Sequence, residues 1–274
     1  MNTDLERRCH VRPANWNDRA MTLTPDEEHY LVHVLRAKHG DTVGVFDGQG
    51  REALARVEFR PSGAQPGRGS RGRRGESLVL NVLSIRRVEE PRLAITLVQA
   101  LPKAGRMDWI VEKATELGVS AIVPLITERV VGGEAKIRDK ERSERWQRIA
   151  LGAARQCRTG WAPLVHPIRR LADLDEVFAA VDLLLVGALD SHARHLRCVL
   201  WELPAVPRRR LALLIGPEGD LTADELRELI RKGAVPVSFG PVVLRVETAA
   251  IYGVSALNYE LSDPTLRPPA PDSP

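Results

Sequence analysis

Glycine and proline break the apolar run 211–221, LALLIGPEGDL, at Gly216, Pro217 and Gly219, and leave the Glu218 carboxylate between them. A buried strand that ends this way lets backbone amides and carbonyls come close to a ligand. VGALDSH (186–192) and FGPVVLRVETA (239–249) end apolar runs in the same manner. In an open parallel sheet, ligands bind beyond the carboxyl ends of the strands, so three such loops together predict a binding site. Lys103, Arg106, Glu112 and Lys113 cluster where a strand should meet a helix, although any one of them alone reads as a solvated charge. His29 and His33 lie one helical turn apart, a spacing seen in metal sites. No glutamate follows His29 and no third ligand is near, so they read as surface residues, as do His192 and His195. No metal site is expected.

The elements that would position these groups follow from periodicity and capping. In 23–36, LTPDEEHYLVHVLR, Thr24 and Glu27 form a capping-box pattern with Pro25 at the first helical position. DTVGVFDGQG (41–50) and EALARVEF (52–59) alternate around Asp47-Gly48 as a hairpin, and LVLNVLSIRRV (78–88) supplies another strand. Beyond Pro91 the pattern turns to strands at 93–101, 121–127, 181–189, 211–216 and 235–240, separated by helical stripes. Met107, Ile110, Val111, Ala114 and Leu117 mark one helix; Trp146, Ile149, Ala150, Ala153 and Cys157 mark a second. Thr222 and Glu225 cap a third, and a last helix is expected over about 248–261. Such alternation predicts a parallel α/β sheet after a small β-rich domain.

At 274 residues the chain is long enough for two domains, and 43% apolar residues with only 4% aromatic ones predict aliphatic cores. The formal charge is +4 with a pI near 9.2, compatible with a nucleic-acid partner. Cys9, Cys157 and Cys198 are too scattered for a disulfide framework, which suggests a reducing, cytoplasmic compartment. No signal peptide or membrane-spanning run is visible in the sequence. The stretch 61–76, PSGAQPGRGSRGRRGE, reads as a flexible surface loop. Its GRGSRG (67–72) matches a dinucleotide fingerprint in letters, but no strand leads in and no helix follows. Arg68, Arg71, Arg73 and Arg74 could instead form a basic arm to RNA phosphates.

Five segments in order carry a resemblance: KAGRMDWIVEKATELGV (103–119), PLITER (124–129), AARQCR (153–158), LIGPEG (214–219) and LRVETA (244–249). With HYLVHVLR and FDGQG upstream, the chain resembles the RsmE family, methyltransferases of the SPOUT superfamily that act on uridine N3 in 16S ribosomal RNA. The resemblance implies a PUA-like β-barrel over 1–90 and a SPOUT domain over 91–262 with a C-terminal deep trefoil knot, then a disordered tail over 263–274. It also implies a homodimer and a site for S-adenosylmethionine, with 16S rRNA or the small ribosomal subunit as partner.

Carried over by motif, the cofactor residues are Ala188, Leu189, Ile215, Gly216, Pro217, Glu218, Gly219, Phe239, Gly240, Val243, Leu244 and Thr248. Arg245 would support charge on the uracil carbonyls and Glu247 would take the N3 proton. Arg12, Arg36, Lys103, Arg106, Arg129 and Arg158 are the RNA candidates. Two departures stand out: Asp220-Leu221 replaces the family's usual Gly-Phe, and Pro241-Val242-Val243 lacks its usual basic residue. The rival readings are a catalytically silent RNA-binding or ribosome-assembly factor and a SPOUT enzyme for another RNA.

Overall fold

The computed structural model describes residues 7–61, 76–103, 105–129 and 139–263. The interior of the expected arginine-rich loop, with its four arginines, and the tail beyond Asp263 lie outside the described residues. The chain divides into two compact units, and the first comprises Met1–Glu90 together with Ala154–Ala162.

In the first unit, β1 (Arg8–His10), β2 (Ala20–Met21), α1 (Pro25–His29), β3 (Thr42–Phe46), β4 (Arg51–Pro61) and β5 (Glu76–Arg87) follow in order. The five strands form one sheet in the order β1-β3-β4-β5-β2, with the expected β3–β4 hairpin turning at Asp47-Gly48. Alternating β-branched and small residues put Val43, Val45, Ala53, Ala55, Val57, Leu78 and Leu80 into one core with Leu31 and Met21. The helix expected over 23–36 is interrupted: α1 passes into a π-helical turn at Tyr30–Val34, and Arg36 turns left-handed at φ 53°. Only half the expected capping box forms. Thr24 accepts from the Glu27 amide at 3.4 Å, but the Glu27 carboxylate accepts instead from the His10 amide at 3.0 Å and pairs with Arg155. Arg155, partly buried, offers that carboxylate a charged donor, a stronger hydrogen bond than the Thr24 amide could make.

Ala154–Ala162 belongs to this unit through hydrogen bonds, between backbones and from side chains to backbone, that sequence order does not suggest. The Gly50 amide donates to the Gly160 carbonyl at 3.0 Å, Trp161 donates to Glu89 and Arg8 donates to Thr159. Gly50 has φ 86°, and a Cβ there would lie 2.5 Å from the Trp161 ring.

The second unit holds β6 (Leu93–Ala100), α2 (Arg106–Glu116), β7 (Ala121–Ile126), α3 (Asp139–Gln156, its last turn in the first unit), β8 (Leu164–Val165) and β9 (Arg169–Arg170). Then come α4 (Asp175–Ala179), β10 (Leu183–Gly187), β11 (Arg194–His195), α5 (Leu196–Trp201), β12 (Arg209–Ile215), α6 (Ala223–Arg231), β13 (Val235–Ser238) and α7 (Val246–Leu261). The strands pair in parallel in the order β11-β13-β10-β12-β6-β7-β8, and β9 pairs with β7. Because the sheet is covered on both faces, its central strands are apolar throughout. Leu211, Leu213 and Ile215 of β12 enter one core with residues of α2, α3 and α7, while Ala212 and Leu214 enter the other with Leu174 and Leu229. The short β8, β9, β11, α4 and α5 went unpredicted because segments of two to six residues are too brief to show a period.

Candidate functional site

β10 lies between β12 and β13, and Gly187 pairs in register with both Ile215 and Val237. The carboxyl ends of the three strands are therefore level, and their following loops rise side by side. They enclose a cavity of about 380 Å³ that the first turn of α7 helps to line through Val246 and Ala249. That volume falls within the range of small-molecule sites.

Local rules explain the loops. Gly187 leaves room for its neighbours, since a Cβ there would sit 3.1 Å from the Phe239 ring and 3.2 Å from the Ile215 side chain, a tight contact that would make them shift. Gly240 has φ 124°, a conformation that side-chain-bearing residues rarely adopt. In the Gly216-Pro217-Glu218-Gly219 loop, the Asp220 amide closes a turn onto the Pro217 carbonyl at 2.9 Å. Thr222 and Glu225 then form the full expected capping box and start α6. Arg129 holds the loop from outside by donating to the Gly219 carbonyl at 2.6 Å.

Ten of the predicted cofactor residues line the cavity: Ala188, Leu189, Ile215, Gly216, Pro217, Glu218, Phe239, Gly240, Val243 and Leu244. Gly219 and Thr248 do not. A Cβ on Gly219 would meet Arg129, and Thr248 is exposed on α7. Arg245, the N-cap residue of α7, lines the cavity, whereas Glu247 stands beside Arg106. Arg106 also lines the cavity. Its Nη1 lies 3.3 Å from a Glu247 oxygen and 3.7 Å from Glu218, which in turn accepts from the Lys103 amide at 2.9 Å. Lys103, Arg106 and Arg129 thus surround one end of the Gly-Pro-Glu-Gly loop. Arg12, Arg36 and Arg158 are exposed residues of the first unit.

Sequence reasoning missed Gly187, Val237, Ser238, Val242, Val246 and Ala249 as lining residues. The spacing of Val246 and Ala249, one turn apart at a helix start, was the available signal. Asp220 was noticed only as a departure. Its φ is 60°, and its carboxylate accepts from the Leu189 amide at 3.3 Å and the Leu221 amide at 2.8 Å. Leu221 is buried at 7% exposure in the core below.

Among the described residues, no group of three or more His, Cys, Asp or Glu could hold a metal ion. The rings of His29 and His33 lie 4.6 Å apart, tilted by 36°. Among the described residues, no helix is long and apolar enough to cross a membrane.

A family model described as an RNA methyltransferase domain matches residues 89–258, and one described as an RNA methyltransferase PUA domain matches 23–60. The ribosomal RNA small subunit methyltransferase E of Synechocystis is 32% identical over 92% of this chain and 77% of its own length. The protein of that name from Mycobacterium bovis is 33% identical over 85% of this chain and 83% of its own. A Legionella pneumophila protein solved with bound SAM superposes with a TM-score of 0.78 at 29% identity, covering 94% of this chain and 98% of its own. A ribosomal RNA small subunit methyltransferase E from Neisseria gonorrhoeae bound to S-adenosyl methionine gives 0.73 at 26%, covering 92% and 97%.

Proposed function

The chain belongs to the ribosomal RNA small subunit methyltransferase E family, the RsmE family, and from that premise we propose that it methylates N3 of a uridine in 16S ribosomal RNA with S-adenosylmethionine. The observation that carries the reading is the cavity at three level strand ends, with two arginines in its lining.

The residues present suit the cofactor. Ile215, Phe239, Leu244 and Val246 offer apolar surface for a purine, and backbone at Ala188, Gly216 and Gly240 offers amides and carbonyls to read its edges. When bound, S-adenosylmethionine supplies an electrophilic methyl group on a cationic sulfur. For N3 to accept the methyl group its proton must leave, which places negative charge on the flanking carbonyl oxygens. Arg245 stabilises that charge from the cavity wall. Glu247, whose carboxylate is fixed by the cavity-lining Arg106, receives the proton. Because N3 lies on the pairing edge, the uridine enters unpaired. Arg12, Arg36 and Arg158 in the first unit, and Lys103, Arg106 and Arg129 in the second, contact RNA phosphates.

In this reading the second unit carries the trefoil knot, and two copies associate in the cytoplasm, where the small ribosomal subunit is found. Exposed Trp109 of α2 and exposed Tyr252 and Tyr259 of α7 supply the apolar surface for that association. The test is calorimetric titration with S-adenosylmethionine of the wild type and of Leu189→Arg. Leu189 lines the cavity and is 66% exposed, so the variant crowds the site with a large cation without disturbing the core. Binding by the wild type alone supports the reading. No binding by wild type, with or without RNA, leaves the silent RNA-binding factor.

A further inference from the structure

The charges in the cavity lining are unequally compensated. Arg106 lies between Glu247 and Glu218 and offsets one of their two negative charges. Asp220 also lines the cavity, yet its carboxylate meets only the two backbone amides of Leu189 and Leu221. Among the described residues no cation lies within ion-pair distance of it. It is only partly buried, and it occupies a left-handed conformation at φ 60°, where glycine would be at ease. Neutral asparagine would also tolerate that conformation. A charged side chain held there by both walls of the cavity suggests a use for its charge as well as for its hydrogen bonds.

We infer that Asp220 makes the cavity selective for a cationic ligand over its neutral counterpart, and so for the methyl donor over the spent cofactor. This rests on the proposed cofactor. Transfer of the methyl group breaks the carbon–sulfur bond, and the bonding pair stays on sulfur. The sulfonium thereby becomes a neutral thioether and S-adenosylhomocysteine is left. A fixed carboxylate in the wall attracts the first and is indifferent to the second. Product therefore binds less tightly than substrate, which favours exchange after each turnover. Asp220 is also a positioning residue, because the bond it accepts from the Leu189 amide ties the loop after β10 to the loop after β12, while the bond from Leu221 fixes its own loop.

Three ligands separate the charge effect from the tie: S-adenosylmethionine, S-adenosylhomocysteine and sinefungin, which carries a protonated amine near the sulfonium position. Each is titrated calorimetrically into wild type and Asp220→Asn, with Asp220→Gly as a second variant and thermal melting as a check on folding. Wild type is expected to bind the two cationic ligands more tightly than the neutral one. In Asp220→Asn that preference should fall by about five- to ten-fold, the size expected for unit charges several ångströms apart in a partly screened site. Affinity for the neutral ligand should change by less than the preference does. Equal weakening for all three ligands, or an unchanged preference, would overturn the inference and leave Asp220 a structural tie. Failure of wild type to bind any of the three would instead remove the cofactor reading itself.

Discussion

Arg245 and Glu247 are two positions apart, but the structure gives them different surroundings. Arg245 reaches the cavity wall from the N-cap of α7, whereas Glu247 is engaged by Arg106. Arg245→Ala should therefore lower kcat by about 10²-fold, the usual consequence of removing one donor to developing negative charge, with cofactor affinity unchanged. Single-turnover kinetics beside a binding titration checks this. Glu247→Gln should lose activity while keeping RNA affinity, since the amide still meets Arg106. A variant with normal turnover would remove Glu247 from the proton transfer. Elsewhere, burial holds the His10 imidazole below its ordinary value, and His166 shifts the same way for the same cause. The unfolded chain takes up these protons near pH 6.5 and the folded chain resists, so stability is present above that pH and lost as pH falls through it. Urea midpoints at pH 7.5 and 5.5 should show the decline, and His10→Gln should flatten it. At this scale sequence motifs pointed to Gly216, Gly240 and Arg245, but not to Gly187. They could not show that Thr248 faces solvent, or that Asp220 ties two loops, because both depend on backbone angles in a folded loop.

The elements set the shape of the cavity. α7 lies so close to the sheet that a Cβ on Gly253 would come 2.6 Å from Leu213 and 3.2 Å from Phe239. Replacing glycine by alanine inside a helix ordinarily stabilises by up to ~1 kcal/mol. Here overpacking costs about 1–3 kcal/mol, so Gly253→Ala should be destabilising on balance. Because Phe239 lines the cavity, the same variant should weaken cofactor binding. A raised melting temperature with unchanged affinity would contradict this account of the packing. The long strands and helices were readable because each shows its period over several turns or pleats. The capping box of α6 formed as written. That of α1 did not, because the Glu27 partner is Arg155, distant in sequence. A local pattern cannot anticipate a competitor more than a hundred residues away.

At the scale of the whole molecule, Ala154–Ala162 joins the first unit although the residues on either side of it belong to the second. Its anchor is the ion pair of Arg155 and Glu27, both largely buried, with the Arg155 guanidinium also stacked 3.9 Å from the Tyr30 ring centre. Removing one member leaves the other charge without its partner, so Arg155→Met should cost about 2–4 kcal/mol. Much of that loss should return in the double variant with Glu27→Gln, which denaturant titration can test. Binding of 16S rRNA should weaken steeply between low and moderate salt if the exposed arginines hold phosphates. The order of the two units was legible in the change of pattern at Pro91, but the excursion was not, because it depends on backbone bonds between remote glycines.

The most direct measurement incubates the purified protein with S-adenosylmethionine and small ribosomal subunits lacking the modification, then digests the RNA and identifies the methylated nucleoside by mass spectrometry. The account predicts 3-methyluridine at one site, absent with Arg245→Ala. Methyl on a ribose, on another base or on no nucleoside at all would contradict it.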